Sequence, residues 1–199
     1  MTSAFDLLWI AFIFLFDVRV MGFDILPDVV GYLLIVIGLK RLASLNGHLA
    51  TAANLAPVVA LVSLADFYQP PATGASMFAL RGTTFQTPVE SALTITGILL
   101  VGLNLFLVYH IVTGIVEVAK KKKEKDLVEA ATPLWGEYKA LHIMIMIMLP
   151  IVALFPAAGW LAPMVQLAAG IIVYFSMIGF LRDAQWTLFG PKANTSDQK

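Results

Sequence analysis

The sequence predicts an all-α, polytopic integral membrane protein with six transmembrane helices and both termini in the cytoplasm. Three observations predict it. Hydrophobic residues make up 59% of the 199-residue chain, against roughly 45–50% in an ordinary soluble domain. Charged residues are 13%, about half of the usual share of roughly 25%. The apolar residues run in long blocks, with a mean hydropathy of +0.85, and a soluble chain of this kind would expose more apolar surface than water tolerates. Lys and Arg together number 13, Asp and Glu 13, and Cys 0. A zero net charge is not that of a nucleic-acid binder. Without cysteine there is no disulfide, thiol nucleophile, iron–sulfur cluster or Cys-based zinc site.

A helix needs about 20 mostly apolar residues to cross a hydrocarbon core of about 30 Å. Six blocks qualify, forming one domain over 1–189: residues 4–23, 25–43, 51–67, 91–119, 138–155 and 162–181. The first carries Asp6 in place of a positive n-region, so it reads as a span and not as a signal peptide. The turn between the second and third spans, 44–50, contains Asn46, Gly47 and His48. A long outer loop, 68–90, follows the third span with Pro70, Pro71, Gly74, Gly82 and Pro88, a length that often marks a lid or binding loop. After the fourth span comes KKKKEK, then Asp126 as a helix cap. An interfacial helix is expected over 126–137, and Leu127, Ala130, Ala131, Leu134, Trp135 and Tyr138 give the segment an apolar side. Pro133 should kink it or end it before the fifth span. The polar tail 190–199 reads as disordered.

Lys and Arg set the orientation. With the N-terminus inside, the inner segments hold Lys40, Arg41, Lys120, Lys121, Lys122, Lys123, Lys125, Lys139, Arg182, Lys192 and Lys199, and the outer ones only Arg19 and Arg81. The expected location is the cell membrane, with the lipid bilayer as the first partner and no nucleic acid.

Ionisable residues inside spans are costly, so each is a functional hypothesis. They concentrate at the outer junction of the first two spans, in FDVRVMGFDILPDVVGY, which ends at Tyr32. Asp24 is placed to cap a helix with Pro27 in its first turn, and Asp28 follows where the helix dipole favours a carboxylate. Asp28, Gly31, Ile35 and Gly38 share one face, whose glycines allow another helix to approach closely. With Asp17 and Arg19 closing the first span and Asp66 the third, the expected ligand site is Asp17, Arg19, Asp24, Asp28, Tyr32 and Asp66. Four carboxylates against one guanidinium favour a cation over an anion.

DILPDVVGYLLIVIGLKRLA resembles the LPD-x-x-GY signature of uncharacterised small polytopic membrane proteins of Gram-positive bacteria. GIVEVAKKKKEKDLVEAATPLW is similar to a second pattern of that group, a span ending in G-I before a charged turn and an alanine-rich segment ending in Trp. The resemblance implies a topology and no activity, cofactor or catalytic residue.

A second constellation lies toward the inner side. His110, Thr113 and Glu117 share a face of the fourth span, and His142 opens the inner part of the fifth, so His110, Glu117 and His142 are the candidates for a proton relay. Asn104, Gly97 and Gly102 on the fourth span, with Gln166, Gly170 and Tyr174 on the sixth, read as interhelical hydrogen-bond and packing positions. In HIMIMIM only Met144 and Met148 share a helix face, which points to packing and not to a copper site.

No H-E-x-x-H, G-x-S-x-G or Walker-type loop occurs, so no catalytic residue, metal or cofactor is assigned. The expected function is a solute-binding or transport subunit with an outward-facing acidic site, lacking its own ATPase and served by an energising partner. The alternatives are a non-catalytic accessory or structural subunit beside other membrane subunits, and third an intramembrane enzyme. Size and topology are similar to the substrate-binding components of energy-coupling-factor vitamin transporters, although the first span lacks the A-x-x-x-A pattern of that group.

Overall fold

The computed structural model describes residues 3–15, 19–20, 23–24, 28–64, 88–154 and 161–190. Six helices carry the chain: α1 (Ala4–Phe14), α2 (Asp28–Leu42), α3 (Gly47–Ser63), α4 (Pro88–Lys122), α5 (Lys125–Leu154) and α6 (Leu161–Phe189). Between α1 and α2 runs a two-residue antiparallel ladder, β1 (Arg19–Val20) with β2 (Phe23–Asp24). The chain is otherwise helical among the described residues.

Local chemistry fixes the helix starts. Ser3 and Asp6 form a capping box before α1: the Asp6 N–H donates to Ser3 Oγ at 3.0 Å and the Ser3 N–H to the Asp6 carboxylate at 2.7 Å, which satisfies two otherwise orphaned donors. The first helix ends at Phe14, well short of the predicted 23, because the chain then turns into the ladder. Asp24 is therefore not the cap of α2 but the backbone partner of Arg19 in that ladder. α2 opens at Asp28, later than the predicted 25. Asp28 does lie in the first turn of α2, as expected.

Two further boundaries differ from the sequence reading. The third helix opens at Gly47, not 51, because the Asn46 side chain accepts from the Leu49 N–H at 2.9 Å and caps it. The fifth is one helix of 30 residues running through Pro133, so the interfacial helix and the fifth span are continuous. The stripe Leu127, Ala131, Leu134, Tyr138 and Leu141 is buried on both sides of the proline. Glu129, whose carbonyl Pro133 cannot bond, is exposed, as is Pro133. Packing along the stripe outweighs the roughly 3 kcal/mol that an interior proline costs.

Consecutive helices pack as neighbours, and α6 closes on α1, so the bundle is a ring. The N-terminus of α1 meets the C-terminus of α6 through Phe5 and Phe189, with ring centroids 5.5 Å apart. Lys122 reaches across from the end of α4 to the Leu188 carbonyl and lies over the Phe189 ring. Gly38 in the last turns of α2 lies against Ala4 at the start of α1. The starts of α1 and α3 and the ends of α2, α4 and α6 thus gather at one end, together with Lys40, Arg41 and Lys120–Lys122.

The interior is apolar, built from Leu8, Phe12, Ile35, Leu39, Leu107, Ile111, Met177 and Leu181. So is much of the outside: Leu61 is 69% exposed, Phe175 68% and Ile172 64%. Among the described residues two helices are long and apolar enough to cross a membrane, Ile95–Lys122 and Leu167–Phe189. Among the described residues α1 and α2 have 11 and 15 residues, shorter than the predicted spans, while α3 has the expected 17, shifted toward the N-terminus.

Candidate functional site

Polar side chains meet at two places. The first is the ring interior. Tyr32 of α2, Asn104 of α4, Tyr138 and His142 of α5 and Tyr174 of α6 converge there, with Phe12 of α1 against Tyr174 at 6.1 Å between ring centroids. Tyr138 and Tyr174 are 6.3 Å apart by the same measure. His142 stacks on Tyr138 at 4.2 Å, and its Nδ1 lies 2.9 Å from the Tyr138 carbonyl.

Tyr138 is completely buried and Asn104 is 6% exposed. Asn104 Oδ1 and the Tyr138 hydroxyl have no hydrogen-bond partner among the described residues. Asn104 and Tyr174 lie near enough to that hydroxyl to act on it by hydrogen bonding, and Tyr32 by its charge environment, although no bond there reaches well-formed geometry. A buried, unpaired polar group is costly, about 1–3 kcal/mol, and rare enough to call for an explanation.

The second place is the seam between α3 and α4 at the basic end. Asn46 holds it: while its Oδ1 caps α3, its Nδ2 donates to the Gly114 carbonyl of α4 at 2.7 Å. Gly114 permits this approach, since a Cβ there would lie 2.6 Å from Leu49 Cγ. His48, in the first turn of α3, then faces His110 with the two Nδ1 atoms 2.9 Å apart. Its other ring nitrogen, Nε2, is 3.6 Å from Glu117 Oε1. Phe106 meets the His110 ring edge-on at 4.5 Å. An open groove of about 300 Å³ is lined by Gly47, His48, Thr51, His110 and Glu117.

The expected relay is therefore recomposed. His110 and Glu117 do share a face, but the imidazole between them is His48, not His142. His142 lies on the stripe of α5 that faces the interior, whereas His110 lies on the side of α4 that faces α3. Of the expected outer site, Asp17 and Asp66 lie outside the described residues. Arg19 and Asp24 are opposed in the backbone ladder, and Asp28 is half-buried one turn before the buried Tyr32.

The glycine face of α2 packs as predicted: a Cβ at Gly31 would lie 2.9 Å from the Ala11 carbonyl, and one at Gly38 2.9 Å from that of Ala4. Gly97, Gly102 and Gly170 border open space and are not close-contact positions among the described residues. Sequence reasoning placed His48 in a turn and Tyr138 on an apolar helix side, and gave neither a role in a site. The Asn46–Gly47 pair was the signal for the first, as a helix start, and the buried stripe through Pro133 was the signal for the second.

Comparison with protein-family models, curated proteins and solved structures gives no match.

Proposed function

We propose that the chain is a multi-pass membrane protein, its six helices crossing the bilayer with both ends cytoplasmic, that binds or carries a small neutral or cationic solute within the helix ring. The observation that carries this reading is the pair of buried polar atoms without a well-formed hydrogen bond, Asn104 Oδ1 and the Tyr138 hydroxyl, inside an aromatic-lined interior. Polar groups at such positions are costly, and in membrane bundles they mark solute pathways. Asn104 Oδ1 is an acceptor, so it suits a solute with a hydrogen-bond donor, and the rings of Tyr138, Tyr174 and Phe12 suit a flat or aliphatic body. No cationic side chain belongs to the cluster, and Asp28 stands one turn before Tyr32, so an anion is disfavoured. In this reading Asp28, in the first turn of α2, borders the outer approach to that interior.

Topology is supported by the basic residues gathered at one end of the ring, by the apolar outer surface and by the two longest apolar helices. The LPD-x-x-GY resemblance implies the same arrangement.

The test is a thermal-shift panel on purified protein with small amines, quaternary ammonium ions, nucleobases and sugars. At least one class should raise the melting temperature by several degrees. Asn104→Leu should abolish that shift while leaving the ligand-free protein as stable as the parent or more so, because it removes an unpaired acceptor. No shift from any class, or an equal shift in the variant, overturns the interior site. Separately, the chain has no cysteine, so Lys122→Cys should resist an impermeant thiol reagent in intact cells, and labelling there would reverse the topology.

A further inference from the structure

The turn between α4 and α5 keeps lysines where local chemistry disfavours them. Lys120–Lys123 and Lys125 stand there against Glu124 and Asp126. Lys120, Lys121 and Lys122 close α4, where the negative end of the helix dipole favours a cation. The other two lysines have no such reason. Lys123 adopts a φ of 63°, the left-handed region that glycine enters freely and a lysine only against steric resistance. Its N–H donates to the Lys120 carbonyl at 3.2 Å, and the Glu124 N–H to that of Ala119 at 3.0 Å. Those two bonds make a Schellman turn, in which glycine usually takes the place of Lys123. Lys125 opens α5, where the positive end of the dipole opposes a cation. Local rules of this kind are broken chiefly at functional sites.

We propose that this turn is a binding surface for anionic phospholipid headgroups in the leaflet at the basic end of the ring. The inference goes beyond the interior solute site and shares no residue with it. It rests on the reading of the chain as a membrane-spanning protein.

Charge and exposure fit a phosphate group. Lys120, Lys121, Lys123 and Lys125 are exposed, and among the described residues none of them makes an ion pair or a side-chain hydrogen bond. Clusters of about four to eight basic residues just inside a membrane span are the pattern that recruits anionic lipid.

Two aromatic rings favour a lipid over a soluble anion. Lys122 reaches the Leu188 carbonyl and lies over the Phe189 ring, which pins the turn beside the end of α6. Phe189 is 49% exposed there, and Trp186, three residues earlier, is 66% exposed. A free phosphate would leave both rings in water. The glycerol and upper acyl region of a phospholipid covers them while its phosphate meets the lysines, at the level where interfacial tryptophans sit.

The experiment uses the full-length protein in detergent, given equal amounts of phosphatidylglycerol and phosphatidylcholine. Mass spectrometry of the intact complex counts the lipid retained. Phosphatidylglycerol should be retained in preference by about tenfold or more, and Lys123→Gly and Lys125→Gln should each cut that preference about fivefold, the effect of one basic residue at an anionic surface. Lys123→Gly should also raise the melting temperature in detergent alone, because it relieves the left-handed lysine, so its loss of binding is not a loss of fold. Glycerol phosphate should not displace the lipid. Equal retention of the two lipids, an unchanged preference in either variant, or displacement by glycerol phosphate overturns the proposal. Reconstitution into phosphatidylcholine nanodiscs separates the two readings. A parent protein that inserts but shows no lipid preference sinks this inference alone, and one that inserts into no bilayer sinks the membrane reading with it.

Discussion

The α1–α2 and α3–α4 seams are both opened by glycine, and they are used differently. Along α1–α2, Gly31 and Gly38 sit seven residues apart against the Ala11 and Ala4 carbonyls, with Leu15 and Leu8 beside them. Two turns of each helix mesh, and the glycine contacts are with backbone and leucine. Along α3–α4 a single glycine, Gly114, meets Leu49 and Asn46, and the seam fills with Asn46, His48, His110 and Glu117. Glycine supplies proximity in both. What the proximity is used for depends on the partner helix: α1 presents alanine and leucine, while the start of α3 presents a capping asparagine and a histidine. Close packing alone is therefore a poor sign of a site, and close packing around polar side chains is a better one.

The comparison breaks most clearly at the dry seam. Gly31→Ala and Gly38→Ala each drive a methyl group against a backbone oxygen that no rotamer change can move. Each should destabilise by about 1–3 kcal/mol, the usual range for overpacking, and nearly additively because the sites lie about 10 Å apart along the helix. Denaturant or thermal unfolding of the single and double variants checks this. Parental stability in the double variant would mean that α1 and α2 do not mesh there.

At the polar seam the expected effect is smaller and divisible. Asn46→Ala removes both the cap of α3 and the bond to Gly114, a loss of about 1–2 kcal/mol. Asn46→Asp keeps the cap acceptor but not the donor, so it should recover roughly half. If Asp restores full stability, the bond across the seam contributes nothing and the seam is held by Leu49 alone.

The smallest effect is expected where a glycine makes no seam. A Cβ at Gly102 meets nothing within 4 Å, so Gly102→Ala should be neutral or stabilising by up to about 1 kcal/mol, the helix-propensity gain. Destabilisation would show that this face of α4 is covered by a further copy of the chain or by another subunit.

The order of the six apolar helices was legible because apolar blocks of this length have few other solutions, but the separate interfacial helix expected over 126–137 is part of α5. The glycine face of α2 was legible too, since 3.6 residues per turn place Gly31, Ile35 and Gly38 together whatever packs on them. The sequence also carried the capping chemistry of Asn46, but the third block was read from its apolar run, and the polar first turn of α3 fell into the loop. Pro133 misled for a related reason: a local breaker was weighed without the buried stripe on either side of it.

By itself, then, the sequence determined a helical, strongly apolar chain and which residues share a helix face, because both follow from composition and helix periodicity. Only the tertiary structure decided which faces meet. His110 and Glu117 were visible as a pair on one helix, yet their imidazole partner is His48 and not His142, and Tyr32 turns out to belong with Asn104, Tyr138 and Tyr174. Such pairings depend on the rotation of each helix about its axis, which is set by how the whole ring packs. A local pattern fixes a face, but not what that face will touch.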